Sequence, residues 1–438
     1  MKFLKWLYPG LGVKRWLLVA LCGIIMATVG LSLVMESQGI LIITAISKYF
    51  NYLYFNSKTA LLTGSGLLLL GFVLMLTGLQ KILLSILNAI LPYNENKLVE
   101  VVYQNKQLKK GPKIVALGGG TGLSMLLRGL KNYTTNLTAI VTVTDDGGSS
   151  GRLRGELGML PPGDVRNCLL ALADQESLME KVLNYRFNQG EELKGHNLGN
   201  LLLAALTQVT GDFYSAIQEI SRVLAIKGSV LPATLQSVVL GAKMANGDTV
   251  LGETEIVQHK SSIKEVFLSP ADCKPLEGAL EAIYDADAII LGPGSLYTSV
   301  IPNLLVKGIK EAVISADCPV FYVCNIMTQP GETDGYTAQE HLQAIQDHIQ
   351  GEFIDYIVVN TERIPEKLLK RYKNEGAEPV KIKEKALKEA GVKVLKASLL
   401  QKEDYVRHDS DVLARLIVGE IIKLKPTYER VKMFDLND

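Results

Sequence analysis

Residues 113–154 read KIVALGGGTGLSMLLRGLKNYTTNLTAIVTVTDDGGSSGRLR, and their pattern decides the fold class. A strand-favouring run, Lys113 to Leu117, ends in Gly118–Gly122, where only Thr121 interrupts the glycines. Leu123, Leu126, Leu127 and Leu130 then fall at i, i+3, i+4 and i+7, one face of a helix. Glycine permits positive φ and close main-chain approach, and the new helix aims its free N–H groups at the same point. Such a unit is built to hold an anion, most simply a phosphate or pyrophosphate. A second strand, Leu137 to Val143, runs into Thr144, Asp145 and Asp146. In a parallel sheet that acidic strand end lies beside the glycine loop, at the usual ligand crevice. The spacing is G-x-G-x-G, since Leu123 stands where a last glycine would complete G-x-G-x-x-G. No G-x-x-x-x-G-K-[ST] occurs, so a P-loop NTPase is not indicated.

Working outward, the turn Pro161-Pro162-Gly163 precedes Asp164, expected as a helix N-cap, with Arg166 and Asn167 in the first turn. His196 and Asn197 stand before an apolar helix whose first turn holds Gly199 and Asn200. Asn197 reads equally well as a cap for that helix or as a ligand contact. Leu235 to Leu251, with an Asn246-Gly247 turn, predicts a β-hairpin added to the α/β core. Ala286–Leu291 followed by Gly292-Pro293-Gly294-Ser295-Leu296-Tyr297-Thr298 repeats the strand, glycine turn and helix start, a second anion cradle. Val320 to Asn325 is a strand ending in Asn325 and the loop Thr328–Thr333, and Ile354–Asn360 is the last clear parallel strand. Val380–Ile382 and Val392–Ala397 are short β-like runs in a lysine-rich, helical C-terminal part. Tyr372 and Arg407 lie there too, and by position alone read as surface residues.

The N-terminal part is different in kind. Residues 1–110 carry 11 Lys/Arg against 3 Asp/Glu, and residues 111–438 carry 35 against 42. An acidic body is a poor match for nucleic acid, whose phosphates call for clustered Lys and Arg. Residues 16–35 and 59–80 contain no charge, and each is about the 20 residues that span a hydrocarbon core. A cleaved signal peptide or a pair of buried soluble helices are the bland alternatives. Lys2, Lys5, Lys14 and Arg15 precede the first span, and Lys81, Lys97, Lys106, Lys109, Lys110 and Lys113 follow the start of the second. The positive-inside rule then puts both ends and the globular part in the cytoplasm, with the aromatic-rich residues 36–58 outside. The expected organisation is a membrane anchor over 1–92 (spans at about 16–35 and 60–80), a linker over 93–112 and a ligand-binding domain over 113–438. The five cysteines and five histidines show no metal spacing.

Taken together, GGGTGLS, VTVTDDGGSSGRLR, MLPPGDVRN, GHNLGN, LGPGSLYTS, VCNIMTQPGET and the late Arg407-His408-Asp409 resemble the YvcK proteins. These are also called GlmR or gluconeogenesis factors, and belong to the superfamily of the phospholactate transferase CofD. The likeness runs from about Pro112 to the end of the chain. It implies an α/β, Rossmann-like parallel sheet of CofD type, here with the β-hairpin addition and behind a two-helix transmembrane hairpin. It also implies binding of UDP-N-acetylglucosamine, and control of carbon flow into cell-wall precursors and of cell shape. By this likeness Gly119, Gly120, Thr121 and Gly122 hold the nucleotide end. Asp145, Asp146, Asn167, His196, Asn197 and Asn200 line the crevice, Gly294, Ser295 and Tyr297 form the second cradle with Asn325 beside it, and Tyr372 and Arg407 serve the sugar nucleotide.

Two functions follow from the resemblance. One is a non-catalytic sensor that reports UDP-sugar occupancy to a partner, for which the family implies glucosamine-6-phosphate synthase. The other is a CofD-like transferase, in which Asp145 and Asp146 hold Mg²⁺ against a pyrophosphate. A homodimer is the superfamily's tendency. Ser410, three residues beyond Arg407, is a candidate phosphorylation site, because a phosphate there would compete for that guanidinium.

Overall fold

A computed structural model describes residues 13–37, 57–90, 106–174, 177–401 and 405–428. The expected outer loop with its aromatic residues 49–55, and most of the 93–112 linker, lie outside the described residues. The chain divides into two compact units between Val102 and Tyr103.

The first unit holds two helices, Val13–Ser37 and Ser57–Ile90. Within them, Lys14–Met35 and Leu61–Ser85 are long and apolar enough to cross a membrane. The helices pack with their main chains nearly in contact along glycines spaced by seven. A Cβ on Gly30 would lie 2.4 Å from the nitrogen of Leu68, and one on Gly71 would lie 2.4 Å from that of Ala27. Cβ atoms on Gly23, Gly78 and Gly64 would lie 2.5, 2.7 and 2.9 Å from atoms of the facing helix. Small residues at the seam and large ones facing away (Leu18, Leu62 and Leu69 are all more than half exposed) are what helices packed in lipid show.

The second unit is built on a seven-stranded sheet in the order β10-β9-β8-β7-β1-β2-β3, with every neighbouring pair parallel. The strands are β1 (Ile114–Gly118), β2 (Leu137–Val141), β3 (Ser229–Pro232), β7 (Ala288–Leu291), β8 (Val320–Val323), β9 (Tyr356–Asn360) and β10 (Lys393–Ala397). Residues of β1, β7 and β8 are buried throughout, as in a sheet covered on both faces. Helix Gly120–Leu130 packs against helices Gly163–Leu172 and Ser410–Leu424. Gly129 makes one crossing possible, since a Cβ there would meet the carbonyl oxygen of Ser410 at 2.0 Å.

The expected hairpin is present as β4 (Val239–Met244) and β5 (Thr249–Leu251), and β6 (Ile263–Ser269) adds a third antiparallel strand in the order β5-β4-β6. Two expectations are corrected at the sheet edges. Ile354–Asn360 is not the last parallel strand, because β10 pairs with β9. Residues 380–382 form no strand; Lys381 makes only an isolated bridge to Thr337, and the neighbouring Pro379 one to Met327.

From β1 the chain adds β2 and β3 on one side, and later β7, β8, β9 and β10 on the other. The order therefore reverses between β1 and β7, and in open α/β sheets ligands bind outside the carboxyl ends of the strands at such a point. The glycine loop follows β1 and the second glycine turn follows β7, so both stand at the reversal.

Candidate functional site

The two turns touch. A Cβ on Gly122 would lie 2.5 Å from the carbonyl oxygen of Pro293 and 2.9 Å from the nitrogen of Gly294. Gly120 takes φ +61°, the left-handed region that glycine enters at low cost. Asn303, fully buried, donates to the carbonyls of Gly118 (3.0 Å) and Ser299 (2.7 Å), and so ties the end of β1 to the helix after β7. Asn325 donates to the Gly294 carbonyl at 2.9 Å and to Gln329 at 3.0 Å, and Gln329 donates to the Ser295 hydroxyl at 2.7 Å. The second turn is thus held from β1 on one side and from the loop after β8 on the other.

Between these loops lies a cavity of about 540 Å³. The structure brings nine of the expected residues to its wall: Gly119, Gly120, Thr121 and Gly122, Gly294 and Ser295, Asn325, and the distant Tyr372 and Arg407. Thr121 and Gly122 stand in the first turn of helix Gly120–Leu130, whose leading N–H groups have no acceptor four residues back in the helix, the arrangement that suits an anion.

The other expected residues are used differently. Asn197 caps helix Leu198–Thr210, accepting from Gly199 (2.9 Å) and Asn200 (3.4 Å), and donates to the Asn184 carbonyl at 3.0 Å. Asn167 and Asn200 both accept from the Arg166 guanidinium, at 2.7 and 2.6 Å, and burial lowers the pKa of Arg166 to about 10. His196 is buried with Nδ1 3.1 Å from the Ser149 hydroxyl, and burial lowers its pKa. The Tyr297 ring is core: its hydroxyl pairs with that of Tyr336 at 2.9 Å, and its ring meets His348 edge-on. None of these side chains reaches the cavity wall.

Asp145 and Asp146 part company. Asp145 accepts from the N–H of Gly147 at 2.9 Å, while Asp146 turns to the N–H (3.0 Å) and hydroxyl (2.7 Å) of Thr254. Among the described residues no group of three His, Cys, Asp or Glu could hold a metal ion.

Asp164 is not the cap of its own helix. That helix, Gly163–Leu172, has Pro162 at its N-cap and no side-chain cap bond. The Asp164 carboxylate instead takes the N–H of Gly120, against the glycine loop. Burial, with the charge of Asp145 nearby, pushes its pKa up to about 7. Glu332, buried on the cavity wall, is also pushed to about 7 by burial, despite the N–H of Tyr297 and the hydroxyl of Ser295. Glu253 rises to about 9 through burial and the carboxylates of Asp145, Asp164, Glu332 and Asp146. The second cradle is consequently already engaged: the Glu332 carboxyl takes the Tyr297 N–H at the helix start that an incoming phosphate would use. Glu332 and His408, another buried member of the wall, fall within the motifs VCNIMTQPGET and Arg407-His408-Asp409, which do not single them out as site residues.

Comparison with known proteins agrees with this architecture. The family model of 2-phospho-L-lactate transferase CofD matches residues 114–400. The gluconeogenesis factor of Bacillus subtilis is 52% identical over 308 residues, covering 70% of this chain and 97% of its own. A protein of Clostridium acetobutylicum named "Putative gluconeogenesis factor" is 43% identical over 442 residues, 99% of this chain and 95% of its own. A crystal structure of a UPF0052-family protein from Bacillus halodurans superposes with a TM-score of 0.68 at 50% identity, covering 70% of this chain and 99% of that one. With its reversal of strand order, paired glycine turns and matching length, the chain belongs to the gluconeogenesis factor family, within the wider CofD family.

Proposed function

We propose that the second unit binds a UDP-sugar, UDP-N-acetylglucosamine foremost, with its diphosphate on the glycine loop at Gly119–Gly122. One observation carries this reading: the glycine loop that opens helix Gly120–Leu130 shares a cavity with Tyr372 and Arg407. A guanidinium matches a diphosphate and an aromatic ring offers a stacking face to uracil. The ligand state is then passed to a partner, glucosamine-6-phosphate synthase in this proposal, to set the flow of carbon into wall precursors and so cell shape. The two apolar helices anchor the protein in the cytoplasmic membrane with both termini inside, and the second unit works as a homodimer. Phosphorylation at Ser410, the first residue of the last helix, adds a competing anion three residues from Arg407.

A second reading, transfer of a phosphoryl-linked group from a nucleotide donor, is favoured by the CofD match and by the carboxylates beside the loop. It calls for Mg²⁺ brought in on the diphosphate, since that ion prefers a few carboxylates plus phosphate oxygens. The deciding experiment incubates the full chain with UDP-N-acetylglucosamine, Mg²⁺ and candidate acceptors, following binding by calorimetry and release of UDP or UMP. Saturable binding without release supports the sensor; stoichiometric release overturns it; no binding overturns both.

A further inference from the structure

Helix Leu198–Thr210 is apolar on two opposite sides. Gly199, Asn200, Leu203 and Ala204 turn inward and are buried. Away from them Leu202, Ala205 and Val209 are exposed, with Leu198 half-buried in the same line. The positions 198, 202, 205 and 209 follow steps of four, three and four, the spacing by which one helix seats on another. Val209 is 82% exposed. No Asp, Glu, Lys or Arg occurs over residues 195–211. A helix that is apolar all round is ordinarily covered all round. At 13 residues this one is too short to cross a bilayer, which takes about 20.

The segment ahead of the helix is bare as well. Leu198 donates its N–H to the Tyr185 carbonyl and Phe187 donates to that of His196, both at 2.9 Å, so residues 185–187 lie along the helix start. Leu178 (72%), Met179, Val182 and Tyr185 (51%) are exposed there. Among the described residues, about half of the exposed large hydrophobics of the second unit fall within 178–209. Together they offer several hundred Å² of apolar surface. That is the size at which a patch marks a contact site, and much of the roughly 800 Å² that each partner gives to a stable interface.

Charge decides which partner fits. The helix carries none, and residues 177–194 beside it set Lys181, Arg186 and Lys194 against Glu180, Glu191 and Glu192. An anionic lipid surface calls for a basic rim, which this balance does not supply. A second copy meets the face with no like charges at its centre and both signs at its rim, and a two-fold axis makes one patch complementary to itself. We infer that two copies of the chain meet here, helix on helix, about a two-fold axis near Leu202 and Ala205. This rests on the reading that the second unit works as a homodimer, and names the face through which it does so.

The test uses the full chain, in mild detergent with mass read by light scattering, and in its own membranes by cross-linking. Wild type should weigh two chains. Ala205→Glu and Ala205→Arg each bring like charges together at the axis and should raise the dimer dissociation constant at least about tenfold. Mixing the two in equal amounts should bring the two-chain mass back. Ala205 is exposed in the single chain, so neither change enters the core. In membranes, a short bis-maleimide should join Ala205→Cys to its own copy above the background of the unsubstituted chain. Tyr284→Cys, 61% exposed on helix Glu277–Tyr284, should not be joined. Charged variants that stay two-chain, or an Ala205→Cys that is not bridged, overturn the assigned face and leave the homodimer standing. An Ala205→Cys shielded by lipid without bridging gives the face to the membrane instead. Bridging decides alone if the charged variants misfold. Wild type weighing one chain at every concentration overturns the homodimer reading, and this face with it.

Discussion

The phenolic oxygen of Tyr372 accepts the N–H of Val406 at 3.1 Å, tying helix Glu366–Asn374 to the segment that carries Arg407. Arg407 itself is exposed and lies over the ring of Tyr405, 5.3 Å from its centroid. The two residues expected to serve one ligand are thus coupled through the main chain before any ligand arrives. Removing the hydroxyl with Tyr372→Phe should weaken UDP-N-acetylglucosamine binding by about tenfold, as loss of a single hydrogen bond allows. Arg407→Ala should weaken it more and leave the melting temperature unchanged. Calorimetry and thermal unfolding of each variant check both outcomes.

Asn197→Ala separates a capping residue from a ligand contact. The side chain satisfies the N–H groups of Gly199 and Asn200, so its loss should cost about 1 kcal/mol or somewhat more. Affinity for the nucleotide sugar should stay within twofold, since the side chain is absent from the cavity wall. Denaturant unfolding and a binding isotherm on the same preparation read the two effects apart.

The raised carboxyl groups make stability fall as pH rises. Glu332, ordinarily near 4.5, titrates at about 7 in the folded chain, so the fold favours its protonated form. Its contribution is complete below about pH 4.5 and is lost as pH climbs through 7, a change on the order of 3 kcal/mol. Asp164, raised to about 7, acts in the same direction. His408 opposes them, because its lowered pKa withdraws stability as pH drops from 6.5 towards about 4. Glu332→Gln should therefore flatten the fall in melting temperature between pH 5 and 8 relative to wild type. An unchanged slope would show that Glu332 is ionised in the fold at ordinary pH.

Contact between the two turns makes Gly122→Ala costly. The new methyl group meets the main chain of Pro293 and Gly294, which cannot yield as a flexible side chain would. A loss of about 1–3 kcal/mol is expected from overpacking, with binding reduced as the turns separate. In the first unit, Gly71→Leu should likewise break the helix seam, where even a Cβ would lie 2.4 Å from the nitrogen of Ala27. Lower recovery in the membrane fraction and a lower melting temperature in detergent are the readouts.

Strong local signals made much of this legible in the sequence. The glycine loop, the buried strands β1, β7 and β8, and the two long apolar helices each announce themselves within some twenty residues. The edges did not. Strand β3 is four residues ending in a proline, and β10 is only partly buried, so neither carries the dense apolar run of a central strand. Polar residues near helix starts were ambiguous for a physical reason. Asn197 and Asp164 both have side chains suited to orphan N–H groups, but Asn197 serves its own helix while Asp164 serves the glycine loop. Tyr297 sits in a ligand-like motif, yet its ring is claimed by Tyr336 and His348. Glu332 and His408 stood inside quoted motifs without being singled out, because they share a wall only once segments far apart in the chain enclose one cavity.

The reversal of strand order also dictates when the site can exist during synthesis. Strand β1 pairs with β7, and Ile114 faces Ala288 across that boundary. A nascent chain emerging from the ribosome presents the glycine loop long before the second turn, so β1 waits with one edge unpaired. Such edges template association with other chains, and distant pairings fold slowly. Truncated or stalled products ending ahead of Ala288 accordingly carry half a pocket and a sticky flank, and belong with the chaperones and proteases.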